Sequence, residues 1–81
     1  MFYVYVIYSE KAGRKYTGYT TDIDKRLEEH NHDLLSKYTK KKGPWVLIYK
    51  EELETIGEAL AREKILKSGV GRDFLKKITG K

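Results

Sequence analysis

Phe2 to Tyr8 (FYVYVIY) is an uninterrupted aromatic and β-branched run. A strand with one wet face alternates apolar and polar residues, whereas a continuous run predicts a strand covered on both faces. This segment is therefore expected to be the central strand of a sheet. With 81 residues the chain is read as one small domain over 1–81, holding one sheet and two or three helices.

The segments that follow supply the sheet's other strands and its cover. Lys11-Ala-Gly-Arg14 reads as a turn with Gly13 available for positive φ, and KYTGYT as the return strand of a hairpin. If Ala12 and Gly13 are the loop, Lys11 faces Arg14, Ser9 faces Tyr16 and Tyr5 faces Thr20. Alternation then puts Tyr5 and Tyr16 on one face. Thr21 or Asp22 caps a first helix, which is expected to end near Leu35 or Ser36. Tyr38 to Gly43 is a basic loop, and Gly43-Pro44 precedes a third strand, Trp45 to Lys50. Thr55-Ile-Gly-Glu58 fits a capping box for a helix with Ile56, Ala59, Leu60 and Leu66 on one face. Ser68 to Arg72 is expected to break that helix, and Asp73 to Ile78 to form a short last one packing Phe74, Leu75 and Ile78. The fold class is α+β: a small three-stranded, mainly antiparallel sheet flanked by helices, in the order β-β-α-β-α-α.

Charge narrows the partners. Seventeen Lys and Arg against twelve Asp and Glu give +5, which favours a polyanion such as nucleic acid. Lys40, Lys41 and Lys42 form the densest cluster, placed to contact phosphates without reading sequence. With no cysteine, thiolate metal sites and disulfides are excluded. The apolar start is too short for a membrane span and has no basic leader, so the expected location is cytoplasmic with no membrane contact.

Three polar groups interrupt apolar faces. Arg26 and His30 lie one turn apart on the inner side of the first helix, whose stripe is Ile23, Leu27 and Leu34. Glu63 falls in the middle of the second helix's stripe, where a carboxylate needs a partner, a metal or a route to solvent. Together with Tyr5 and Tyr16 they form a set suited to phosphodiester hydrolysis. A carboxylate recruits a hard divalent ion that keeps most of its waters, Arg offers a donor fork to a phosphate, and Tyr or His moves a proton. No P-loop, nucleophilic triad or zinc-type His spacing competes, and His30 and His32 are two apart on different sides of a helix.

Those residues, in that order, resemble the GIY-YIG nuclease superfamily. Tyr3-Val4-Tyr5 stands where the family has GIY and Tyr16-Thr17-Gly18 where it has YIG; the KRLEEH helix and the EALAREKILKSG segment with Glu63 follow. The match is most similar to stand-alone single-domain members that resemble the N-terminal nuclease domain of the excision-repair endonuclease. The resemblance implies a metal-dependent endonuclease acting on DNA in repair or recombination, with a divalent cation, Mg or Mn, on Glu63. Tyr5 or Tyr16 would act as, or position, the general base; Arg26 would bind the scissile phosphate; His30 would relay a proton or hold a tyrosine; Tyr19 would line the site. Two positions depart from the motif, Tyr3 for its first glycine and Thr17 for its isoleucine. Family nucleases often carry an Asn near the domain's end, whereas the sole Asn here is Asn31. Many also add a DNA-binding domain, for which this chain has no room. Its absence implies a protein partner supplying DNA affinity, or a preference for nicked, flapped or branched DNA. The reading from another class is a nucleic-acid-binding module that keeps the fold and cuts little.

Overall fold

The computed structural model describes residues 1–32 and 42–81. Its elements are β1 (Phe2–Ser9), β2 (Arg14–Thr20), α1 (Ile23–Asn31), β3 (Val46–Leu53), α2 (Ile56–Lys67) and α3 (Gly69–Thr79). The strands form one antiparallel sheet in the order β2-β1-β3, so the apolar run is central and the α+β architecture is the expected one. Val4, Tyr5, Val6 and Ile7 are at most 2% exposed because both faces are covered. Val4 and Val6 pack with Ala59, Leu66 and Leu75 of α2 and α3. Tyr5 and Ile7 face the other way, onto Trp45, Tyr16 and the α1 residues Ile23 and Leu27.

The hairpin register differs from the expected one by two residues. Ser9 faces Arg14 and Tyr5 faces Gly18, so the turn spans residues 10–13. Gly13 adopts φ 63° there, and its N–H donates to the Ser9 carbonyl at 2.8 Å. A slip of two leaves side-chain parity intact, so Tyr5 and Tyr16 still share a face. On the other edge the β1–β3 pairing shifts between Val6 and Ile7, where Val6 faces Tyr49 and Ile7 faces Leu47. The extra residue, Ile48, lets both Ile48 and Tyr49 pack toward the α2–α3 core.

Asp22 caps α1, its side chain accepting from the Lys25 N–H at 3.1 Å. The helix stops at Asn31 with His32 as its C-cap, before the expected Leu35 or Ser36. Asn31 clamps the start of the third strand: its Oδ1 accepts from the Trp45 N–H at 2.6 Å and its Nδ2 donates to the Trp45 carbonyl at 3.1 Å. Trp45, itself just outside β3, is thereby held in the core, and β3 continues past Lys50 to Leu53. Leu34, Lys40 and Lys41 lie outside the described residues; Lys42 is half-buried and its carbonyl accepts from Ser9 Oγ.

The capping box forms as read, with Thr55 and Glu58 satisfying each other's backbone N–H groups. The buried stripe of α2 is narrower than expected: Ala59 and Leu66 are inside, whereas Ile56 and Leu60 are about half exposed. Ala59 and Leu66 are two helical turns apart on one side, while Leu60 is rotated about 100° from Ala59. Beyond Ser68 the chain does not run as a break. Ser68 caps α3, which starts at Gly69 rather than Asp73. Gly71 is buried, and a Cβ there would lie 2.2 Å from the Ile65 carbonyl oxygen, so glycine lets the two helices meet at a tight corner. Of the three apolar residues expected to pack from this helix, Leu75 is in the core and Ile78 is half exposed. Phe74 sits at the edge, edge-on to Tyr49 at 5.8 Å and under the Arg62 guanidinium at 5.6 Å.

Gly71→Ala should destabilise the fold by about 1–3 kcal/mol through overpacking against backbone that has no room to move, measured as a shift in the urea unfolding midpoint. Gly69→Ala, where an added Cβ meets nothing within 4 Å, should be close to neutral.

Candidate active site

Tyr5 reaches its position because β1 is central and alternation aims this residue at α1. Its ring lies across Gly18 of the neighbouring strand, where a Cβ would come 2.7 Å from the Tyr5 hydroxyl. Glycine in the Tyr-Thr-Gly triplet is thus a steric requirement of Tyr5. Tyr16, two residues before Gly18, borders the same space with its ring centroid 6.4 Å from that of Tyr5.

His30 stands behind the tyrosines. It is 1% exposed, and its Nε2 is 2.8 Å from the Tyr5 Oη. Its ring lies 4.8 Å from Tyr16 and 5.9 Å from Tyr5, centroid to centroid. Leaving either polar group unmatched in this core would cost about 1–3 kcal/mol. Burial, and then the Arg26 charge, push the imidazole below the usual histidine pKa, partly opposed by Glu29. Burial raises the Tyr5 phenol well above its ordinary value; Tyr16 and the carboxylates of Glu63 and Glu29 add to this, and Arg26 opposes it. At neutral pH the pair is consequently a protonated phenol beside a neutral imidazole.

A cleft of about 300 Å³ opens in front of this pair, lined by Tyr5, Tyr16, Gly18, Tyr19, Arg26 and Glu63. Arg26 and Glu63 come from α1 and α2, which cover opposite faces of the sheet. Arg26 is partly exposed, with Nε 3.8 Å from Glu29 Oε1 one turn away. The Glu63 side chain is 16% exposed, and its Oε1 accepts from Lys67 Nζ at 2.7 Å. Of the three ways a carboxylate on that stripe can be satisfied, a partner is present. Lys67 was not singled out from the sequence, although the Glu-to-Lys spacing of four on a helix is a recognised pairing.

The structure therefore brings together Tyr5, Tyr16, Tyr19, Arg26 and Glu63 at one cleft, with His30 bonded behind Tyr5. Lys42 is not among the residues lining it. Asn31, the only asparagine, is occupied in holding Trp45 and does not line the cleft. No group of three or more His, Asp or Glu side chains converges among the described residues. A single carboxylate beside open, polar space suits a hard, hydrated divalent ion, which binds through one or two carboxylates plus substrate phosphate. The donor set does not suit zinc, which takes three or four protein ligands.

A central-strand tyrosine over a Tyr-x-Gly strand, with Arg on one helix and Glu on another, defines a class. Residues 1–77 match the model of the GIY-YIG catalytic domain, and the chain belongs to that family, whose nucleases generally use divalent metal ions. Its relatives include the UPF0213 protein SSP2268 of Staphylococcus saprophyticus, 42% identical over 77 residues that cover 95% of this chain and 93% of the relative. The UPF0213 protein SH2523 of Staphylococcus haemolyticus is 40% identical over 76 residues, covering 94% and 92%. Among solved structures, the solution NMR structure of the UPF0213 protein BH0048 from Bacillus halodurans aligns with a TM-score of 0.57 at 34% identity, over 99% of this chain and 87% of that one.

The lowered pKa of His30 has a measurable consequence. The unfolded chain takes up a proton on this residue near pH 6.5, the folded chain only at lower pH, so the unfolded state binds more protons in between. Stability attributable to His30 is complete above about pH 6.5 and is lost as the pH falls through the lowered folded value. The stability difference between the unsubstituted protein and His30→Gln should accordingly shrink from pH 7 to pH 5 in urea titrations; a difference constant with pH would contradict this.

Proposed function

We propose that this protein is an endonuclease that hydrolyses DNA phosphodiester bonds by direct attack of water, dependent on a divalent cation such as Mg or Mn, in repair or recombination in the cytoplasm. The observation that carries the proposal is the 2.8 Å Tyr5–His30 bond buried at the back of a cleft that also presents Arg26 and Glu63.

Each residue has a chemical part in this reading. Arg26 donates to the scissile phosphate and offsets the charge that grows on it during attack. Tyr5 alone, protonated at neutral pH, is a poor base. With His30 neutral and its proton on Nδ1, the Tyr5 hydroxyl donates to Nε2, and the tyrosine oxygen can take a proton from water as its own proton passes to the imidazole. Tyr16 walls the water's approach and orients the pair. Glu63 is the residue that would hold a divalent ion, which when bound supplies charge to the phosphate and acidifies or orients water. Tyr19, at the cleft's rim, contacts the nucleic acid, and Lys40, Lys41 and Lys42 are proposed to do so through phosphates. A partner protein would add DNA affinity.

One observation favours the second reading, a binding module with little catalysis: Lys67 already neutralises Glu63. On the nuclease reading this ammonium competes with the ion. Lys67→Ala should then tighten Mn binding severalfold, measured by titration calorimetry without DNA; unchanged affinity would count against Glu63 as a metal ligand.

The decisive assay incubates purified protein and Mg or Mn with labelled single-stranded, duplex, nicked, flap and branched DNAs. Cutting is expected, abolished by Glu63→Ala and lowered about 10²–10⁴-fold by Tyr5→Phe. The rate should hold through pH 6.5, the ordinary histidine value, and fall as the pH drops through the lower value at which folded His30 gains a proton, with no fall on the alkaline side near neutrality. Salt-sensitive binding without cutting, unchanged in both variants, would favour the binding module.

A further inference from the structure

A second recess, of about 530 Å³, is bounded by Arg14 and Lys15 of β2, Lys67 of α2 and Arg72 of α3. None of its lining residues is acidic. Leu66 and Leu75 at its floor are each 1% exposed, so what the recess offers a ligand is its basic rim. Arg14 and Arg72 are exposed, and among the described residues neither forms a salt bridge. Lys15 is engaged, its Nζ donating to the Lys81 main-chain oxygen at 2.7 Å. Convergent cations without a counter-charge match a compact anion, and two arginines suit the oxygens of a phosphate.

Lys67 belongs to two places at once. It lines the recess, and its Nζ donates at 2.7 Å to Glu63, which lines the cleft. The Lys67 side chain is 54% exposed, so the hold of this pair is slight, worth a factor of about two to five in affinity. A phosphate resting between Arg14 and Arg72 offers the same ammonium a charge-assisted partner, and Lys67 cannot serve both fully. The two spaces also lie end to end along β2: residues 14–17 line the recess, and Tyr16, Gly18, Tyr19 and Thr20 line the cleft. Arg14 is four residues from Gly18, roughly 13 Å of strand. A duplex strand covers that distance in about four phosphates, at ~3.4 Å of rise each.

We propose that the recess seats a backbone phosphate of the bound nucleic acid, a few nucleotides from the scissile one, and that this phosphate draws Lys67 off Glu63 and frees the carboxylate for the divalent ion. Nucleic acid and metal then bind cooperatively, each raising the other's affinity by the same factor. The contact is with the backbone and takes no account of sequence or base pairing. The inference rests on the nuclease reading above, in which Glu63 holds the metal, and adds how that ligand is made available.

Sulfate serves as the probe, since it resembles phosphate and binds Mn weakly. Added to the metal-free protein at constant ionic strength and followed by two-dimensional NMR, it should move the amide signals of Arg14, Lys67 and Arg72 along one saturating curve. Arg14→Ala/Arg72→Ala should abolish that response in Lys67. Lys50→Ala/Lys77→Ala removes as much charge from outside the recess and should keep it. In titration calorimetry, saturating sulfate should tighten Mn binding about two- to fivefold. That gain should vanish in the arginine pair and largely vanish in Lys67→Ala, where Glu63 is free from the start. Scattered shifts with no common curve, no gain in the unsubstituted protein, or a full gain in Lys67→Ala each overturn the proposal. A duplex DNA added in the presence of chelator should then move the same recess signals. DNA that shifts only other residues overturns the recess as a seat for nucleic acid; DNA that shifts nothing, with a protein that cuts nothing, removes the nuclease reading, while the sulfate and Mn results still decide whether the recess and Glu63 share Lys67.

Discussion

The hydroxyl of Tyr5 is a polar atom placed on the most buried strand of the protein, and much of the arrangement follows from giving it a partner. His30 must lie within hydrogen-bond distance, which fixes the rotation of α1 about its axis and its height on the sheet. Gly18 must lack a side chain, because the phenol occupies the space a Cβ would fill. Once α1 is held by His30, Arg26 one turn earlier is carried to the cleft mouth. The same contact that satisfies the core therefore positions a cation at the surface.

The electrostatics of the cleft follow from which groups are sealed and which are open. Tyr5 and His30, deprived of water, are driven in opposite directions, the phenol toward keeping its proton and the imidazole toward losing one. Arg26 and Glu63 remain nearer to solvent, at a site where a phosphate and a cation would both meet opposite charge. Glu63 is reached only because α2 packs on the opposite face yet presents this residue to the cleft. The tight corner at Gly71 brings α3, and with it Arg72, alongside the end of α2.

Much of this was legible in the primary structure, for identifiable reasons. A continuous β-branched and aromatic run signals a strand covered twice, and the capping residues Asp22, Thr55 and Glu58 acted where local chemistry alone would place them. The pairing of Tyr5 and Tyr16 on one face survived an error in hairpin register because the error was of even length. The part played by Asn31 is not legible locally, because it binds the backbone of Trp45, fourteen residues away. Likewise Gly69 and Gly71 read as helix breakers, since glycine's local cost is visible in sequence and the close approach that requires it is not.

The sequence by itself determined the element order, the central strand, and the family of residues able to serve chemistry, because propensity, periodicity and motif spacing are local properties of the chain. Only the tertiary structure decided which of those residues meet. It placed His30 behind Tyr5 rather than in the open cleft, gave Glu63 the Lys67 ammonium, and gathered Arg14, Lys15, Lys67 and Arg72 around one recess from three separate elements. These are consequences of how layers rotate and pack against one another, and that rotation is set by contacts between residues far apart in the chain.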